Sequence, residues 1–222
     1  MEAVAENRLL VVWQDIKTRH KHPIGELTKG NGFVFQYNVD ELQKSRLNYL
    51  TAFPDSKKAY HSKCLFPAFS SRLPDKRRSD MKEILSSYKM DSYDEFELLK
   101  RSGGKLPTDS LEFVEPIVLS DKIIKRQFYI AGTTCNENKE AIMSLKPQMT
   151  LQYQLEPENE IDKDAIQILT QGKVIGYIPT YFSKDVTDAV NSGRVIQIRV
   201  LDVKSTPVEN LHELVKVELV IK

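Results

Sequence analysis

The densest set of side chains able to do chemistry lies within residues 155–182, LEPENEIDKDAIQILTQGKVIGYIPTYF. Five carboxylates crowd its first part: Glu156, Glu158, Glu160, Asp162 and Asp164. A cation-binding loop of the EF-hand kind needs a central Gly and a terminal Glu, and both are missing. Paired-carboxylate hydrolysis needs a nucleophile or a His beside the acids, and none is near in sequence. His20, His22, His61 and His212 are scattered, and Cys64 and Cys135 stand far apart without CxxC spacing. No zinc site follows from such spacing. The sequence therefore predicts no catalytic residue, no metal and no cofactor.

Cationic groups are the other candidates. Arg72, Lys76, Arg77, Arg78 and Lys82 form the strongest basic cluster, able to hold nucleic acid or an acidic partner, or to be a solvated helix start. Residues 17–21 form a shorter basic loop. The formal net charge of the 222 residues is only +1, so any polyanion must be met by a local patch.

The elements that must position these groups fall into two halves. Residues 9–15, 22–27 and 33–37 read as three strands of an antiparallel meander. Gly25 allows close backbone approach in the second of them. Short helices are expected at 41–49 and 66–74, and a longer one over 76–89 with Met81, Ile84, Leu85 and Tyr88 on one face. A capping box at 92–95 opens a helix that Gly103-Gly104 stops. A last short strand covers 111–114, and residues 115–121 are the candidate boundary.

The second half gives strands at 125–131 and 150–155 and a short helix around 139–142. A hairpin turning at Gln171-Gly172 follows. A helix with Ser183 as N-cap comes next, then strands at 194–203 and 214–221. Strand alternation places Lys125 and Gln127 on one face with Tyr129. The predicted class is α+β: an N-terminal antiparallel β-meander with helices over 8–115, then a small β-barrel-like domain with one or two helices over 122–222.

Leu155-Glu156-Pro157-Glu158-Asn159, Asp162-Lys163-Asp164-Ala165-Ile166 and residues 172–179, together with Gly132, resemble the HIRAN domain in type and spacing. The resemblance covers about 122–204. It implies a β-barrel-like module that binds nucleic acid by gripping the 3′ end of a single strand. On it, Tyr129 supports the terminal bases and Asp162 accepts a hydrogen bond from the terminal hydroxyl. Asn159, Lys163, Tyr177 and Lys125 complete the expected nucleic-acid-binding set, Lys163 as a phosphate contact. The bland alternatives are a core strand for Tyr129, a turn cap for Asp162 and a solvated Lys163. Phe128, Asp164, Tyr177 and Thr180 depart from the end-binding pattern, Phe128 by standing where Arg would touch a phosphate.

The first half resembles the N-terminal subdomain of HipA-type proteins, on Gly25-Glu26-Leu27, Phe33-Val34-Phe35-Gln36-Tyr37, residues 66–75 and residues 96–104. The family's kinase motifs are not found in these residues, so no enzyme is expected. The resulting expectation is a non-catalytic DNA-binding protein that recognises single-stranded or damaged ends, with a role in DNA repair. The alternative is a regulator whose HipA-like half binds a kinase or toxin partner. The N-terminus lacks the basic n-region of a signal peptide and no apolar run spans a membrane, which together predict a cytoplasmic protein.

Overall fold

The computed structural model describes residues 7–133, 138–204 and 213–222. Cys135 and His212 lie outside them. The chain divides into two compact units, Met1–Pro116 and Ile117–Lys222.

The first unit is a five-stranded sheet. The expected meander is present as β1 (Arg8–Gln14), β2 (Lys21–Lys29) and β3 (Phe33–Tyr37). A short β4 (Tyr60–Ser62) extends it beside β3. β5 (Leu111–Val114) returns antiparallel to β1, giving the order β4-β3-β2-β1-β5. Helices α1 (Val39–Ser45), α2 (Pro67–Ser70), α3 (Met81–Ser87) and α4 (Glu95–Ser102) supply the rest of the core. That core is aromatic. Phe35 meets Phe53 at 4.5 Å and Phe69 at 5.5 Å between centroids, and Phe69 meets Phe113 at 4.9 Å. Edge-on contacts such as the last two add about 0.5–1.5 kcal/mol each beyond burial. Gly25 permits the packing, because a Cβ there would stand 2.8 Å from the Phe35 ring and 2.7 Å from the Gln36 carbonyl.

Several helix boundaries differ from expectation: α1 ends at Ser45 and α2 at Ser70, short of 49 and 74, and the starts of α3 and α4 differ too. Residues 76–80 are turns rather than helix, and α3 starts only at Met81. Asp75 and Asp80 explain this by clasping Arg77 and Arg78 within the turns, which satisfies them locally without a helix. α4 is capped by Asp94, whose carboxylate accepts from the Glu97 N–H at 2.8 Å, rather than by Ser92. Gly103 in the left-handed region ends α4 as expected.

The second unit is a curled six-stranded antiparallel sheet, built from β6 (Ile124–Tyr129), β7 (Thr150–Leu155), β8 (Ile166–Thr170), β9 (Lys173–Tyr177), β10 (Ile196–Val203) and β11 (Val215–Ile221). Their order is β6-β11-β10-β7-β8-β9. The ends of that order meet, because Ala131, just past β6, bridges Tyr177 of β9. The β8–β9 hairpin turns on Gln171 (φ 50°) and Gly172 (φ 73°), the double positive φ of a type I′ turn. α5 (Lys139–Met143) is short. α6 (Thr180–Asn191) puts Phe182, Val186 and Ala189 into the barrel core, with Phe182 packed 5.8 Å from Phe128. α6 begins at Thr180 after Pro179, and Ser183, expected as its cap, is instead buried inside it with its hydroxyl donating to the Pro179 carbonyl. Proline fixes the entry φ, so no side-chain cap is needed to set the helix start. No helix among the described residues is long and apolar enough to cross a membrane.

Candidate nucleic-acid interface

The two aromatic candidates are joined by the backbone. Ala131 N–H donates to the Tyr177 carbonyl at 2.9 Å, and Tyr177 N–H donates to the Ala131 carbonyl at 2.9 Å. Paired residues of a ladder point the same way, and so do residues two apart on one strand. Tyr129 and Tyr177 therefore share the outer face of the sheet where the barrel closes. The close approach requires Gly176, with φ 148°, since a Cβ there would stand 2.4 Å from the Ala131 carbonyl oxygen and 2.5 Å from Ile130. Gly132 (φ 71°) leaves its backbone open to the Tyr177 ring, 3.6 Å from where its Cβ would be.

The acidic loop folds onto Tyr177 through a polar network. Gln167, the ladder partner of Tyr177, donates to Glu156 Oε1 at 2.9 Å, and Asn159 donates to Glu156 Oε2 at 2.7 Å. Asn159 Oδ1 accepts from the Ile161 and Asp162 N–H groups at 3.0 and 3.1 Å. Asp162 Oδ1 accepts from the Asp164 N–H at 2.9 Å. Burial, with the Glu156 carboxylate beside it, raises the Tyr177 phenol above its ordinary pKa, so the ring carries no charge near neutrality. Asn159, Asp162 and Tyr177 thus belong to one network, with Asp162 spending one oxygen on its own turn. Lys163 is exposed at the edge of the loop.

The flank around Tyr129 is charged but balanced. The Lys204 ammonium lies 4.9 Å from the Tyr129 ring centroid and also 3.5 Å from Glu213. Lys216 is the ladder partner of Tyr129, and its partner on the other side is Asp202. Lys125 is exposed on the same face but four residues earlier, about 13 Å along the strand. Phe128 faces the core against Phe182, so the strand offers no cation at that position.

Sequence reasoning passed over Glu156 and Gln167 as site residues. Simple alternation across the hairpin pairs Gln167 with Gly176, and one extra residue moves it to Tyr177. The bulge between Ile168 and Leu169, which sets that register, has no sequence signal.

The cluster in the first unit is not a free basic patch. Arg72 is inside the fold: its guanidinium holds both oxygens of Asp109, donates to the Gly104 carbonyl at 2.9 Å and lies 6.0 Å from the Phe113 ring centroid. Arg77 pairs with Asp75 and Arg78 with Asp80, at 2.6 and 2.7 Å, and these arginines hold both carboxyls below the usual range. Only Lys76 and Lys82 of the five remain as exposed lysines. Among the described residues no group of His, Cys, Asp and Glu side chains could hold a metal ion.

Comparison with known proteins agrees with this division. The model of the HipA N-terminal domain matches residues 17–107, and that of the HIRAN domain matches residues 124–219. No curated protein matches the chain. Two solved structures overlap it. A crystal structure of a protein from Lactobacillus plantarum is 16% identical with TM-score 0.36, over 45% of this chain and 97% of that one. The HIRAN domain of human HLTF is 15% identical with TM-score 0.31, over 45% of this chain and 74% of that one. A HIRAN domain suggests nucleic acid as the ligand. The chain is thus a HipA N-terminal domain followed by a HIRAN domain.

Proposed function

We propose that the HIRAN domain binds the free 3′ end of a single DNA strand, without catalysis. The observation that carries this reading is the closure at Ala131 and Tyr177. It places two tyrosines on one face, next to an acceptor-rich loop. Tyr129 and Tyr177 offer stacking surfaces, each worth about 1–3 kcal/mol per base. Glu156 and Asp162 offer carboxylate acceptors, which suit a hydroxyl and repel a terminal phosphate. The start of α6, three residues beyond Tyr177, carries no acidic residue in its first turn, so its positive end favours the preceding internal phosphate. Lys204 lies over the Tyr129 ring and yields that face when a base stacks there, its ammonium keeping its pairing with Glu213. Recognition of strand ends fits a cytoplasmic role in DNA repair.

The test is fluorescence anisotropy with a labelled single strand bearing a 3′-hydroxyl or a 3′-phosphate. The expected result is tighter binding of the hydroxyl, lost in Asp162→Ala and weakened about 5- to 150-fold in Tyr129→Ala. Equal binding of both ends, or undiminished binding by both folded variants, would rule the pocket out.

A further inference from the structure

The β1–β2 connection, residues 15–20, is a rigid cationic tip. Asp15 is buried at its base and organises it. Its Oδ1 accepts from the Lys17 and Thr18 N–H groups at 2.7 and 3.2 Å. Its carbonyl accepts from the Arg19 N–H at 2.8 Å, and its own N–H donates to the His20 carbonyl at 2.9 Å. Gln14 adds a side-chain donor to the Arg19 carbonyl at 3.1 Å. The backbone N–H groups of Asp15, Lys17, Thr18 and Arg19 are therefore used internally, and Ile16, Lys17, Thr18, Arg19 and His20 are all exposed.

Two features separate this tip from an ordinary solvated loop. Arg19 has φ 62°, in the left-handed region where Gly or Asn sits at lower cost. A large cation is held there by the surrounding bonds, and such held backbone strain clusters at binding sites. The tip is also uncompensated. Among the described residues, the side chains of Lys17, Arg19 and His20 have no acidic partner, unlike Arg72, Arg77 and Arg78. The acids nearby are committed: Asp15 to the turn, Glu112 to Lys21 at 2.6 Å and Lys105 at 2.8 Å, and the exposed Asp109 to Arg72.

We propose that the β1–β2 tip of the HipA N-terminal domain is a second nucleic-acid contact, which grips the phosphate backbone through Lys17 and Arg19. A surface with unpaired cations and no uncommitted acid matches a row of identical phosphates better than the mixed charges of a protein. The site is independent of the HIRAN pocket. It needs no strand end and reads no sequence. Carried on one chain, it raises the local concentration of DNA at the pocket.

The test uses the full chain and a duplex DNA closed by hairpin loops at both ends, so that no 3′ end is present. Wild type should bind it with steep salt dependence. The double variant Lys17→Gln/Arg19→Asn, in which Asn tolerates the left-handed backbone, should flatten the log–log salt slope by about 1.8. Affinity should fall about eightfold per lost contact at 0.1 M salt. Lys17→Arg/Arg19→Lys should keep both, and Tyr129→Ala should leave closed-duplex binding unchanged. An unaltered slope in the Gln/Asn variant would overturn the proposal. So would failure of wild type to bind the closed duplex, and in that event binding of a polyglutamate peptide would reassign the tip to an acidic protein. Neither result touches the difference between 3′-hydroxyl and 3′-phosphate binding, which reads the pocket alone.

Discussion

Ala131 and Tyr177 exchange both of their backbone hydrogen bonds, each 2.9 Å long, across the only point where the first and last strands of the HIRAN sheet order meet among the described residues. That single bridge turns an open six-stranded sheet into a closed one. It also fixes where Tyr177 stands relative to Tyr129. Site and closure are therefore one structure, and damage to the closure should be read at the site.

Gly176 is the place to see this. An Ala side chain would meet the Ala131 carbonyl oxygen at 2.4 Å, and a backbone atom cannot move aside cheaply. Gly176→Ala should destabilise the HIRAN unit by about 2–4 kcal/mol and loosen end binding together with it. Gly172→Ala is the control. Gly172 also has positive φ, but open space surrounds its missing Cβ, so only the backbone preference is lost, about 1 kcal/mol. Urea unfolding of both variants measures the difference. Equal losses would mean that the bridge contributes nothing beyond the φ angle.

The hairpin from 166 to 177 was legible because its signals are local: β-branched runs and a Gln-Gly turn. The same holds for the meander and for Gly103 at the end of α4. What escaped depends on distant partners. The closing bridge joins residues 46 positions apart in a geometry that only Gly176 reveals. The turns at 75–80 look helical by apolar spacing, yet Asp75 and Asp80 each find an arginine two residues away and hold the chain out of the helix. Arg72 reads as part of a basic run, while its Asp109 partner lies far along the chain. The site itself was half visible. Tyr129, Asn159, Asp162 and Tyr177 were named from the family pattern, but Glu156 and Gln167, which tie three of them together, depend on a register set by a bulge.

Acid should weaken the HipA N-terminal domain through Glu112. The carboxylate is buried, and Lys21 and Lys105 outweigh that burial and lower its pKa. A carboxyl whose folded pKa is lowered contributes stability that is present above its unfolded pKa, about 4.3. That stability is lost as the pH falls through the folded value. Wild type should therefore lose stability below about pH 4.3, and Glu112→Gln should lose less over that range. At pH 7 the same variant should be less stable by about 1.5–3 kcal/mol, the worth of charge-assisted hydrogen bonds. Thermal unfolding at pH 7 and pH 3.5 tests both statements. A variant with the same acid response as wild type would remove Glu112 as the source.

Arg72 and Arg77 lie five residues apart and should behave as different kinds of residue. Arg72 is sequestered, with two groups on its guanidinium and the Phe113 ring beside it, so Arg72→Ala strands Asp109 and opens a gap near the core. Loss of about 2–4 kcal/mol is expected. Arg77 is exposed and paired only with Asp75, so Arg77→Ala should leave stability near that of wild type. Because Asp75 already offsets its charge, Arg77→Ala should also leave the salt dependence of duplex binding near wild type, in contrast to Lys17→Gln/Arg19→Asn. Chemical denaturation and salt titrations on the same three proteins separate the roles. A salt slope that drops for Arg77→Ala but not for the tip variant would move the phosphate contact from the hairpin tip back to the 72–82 cluster.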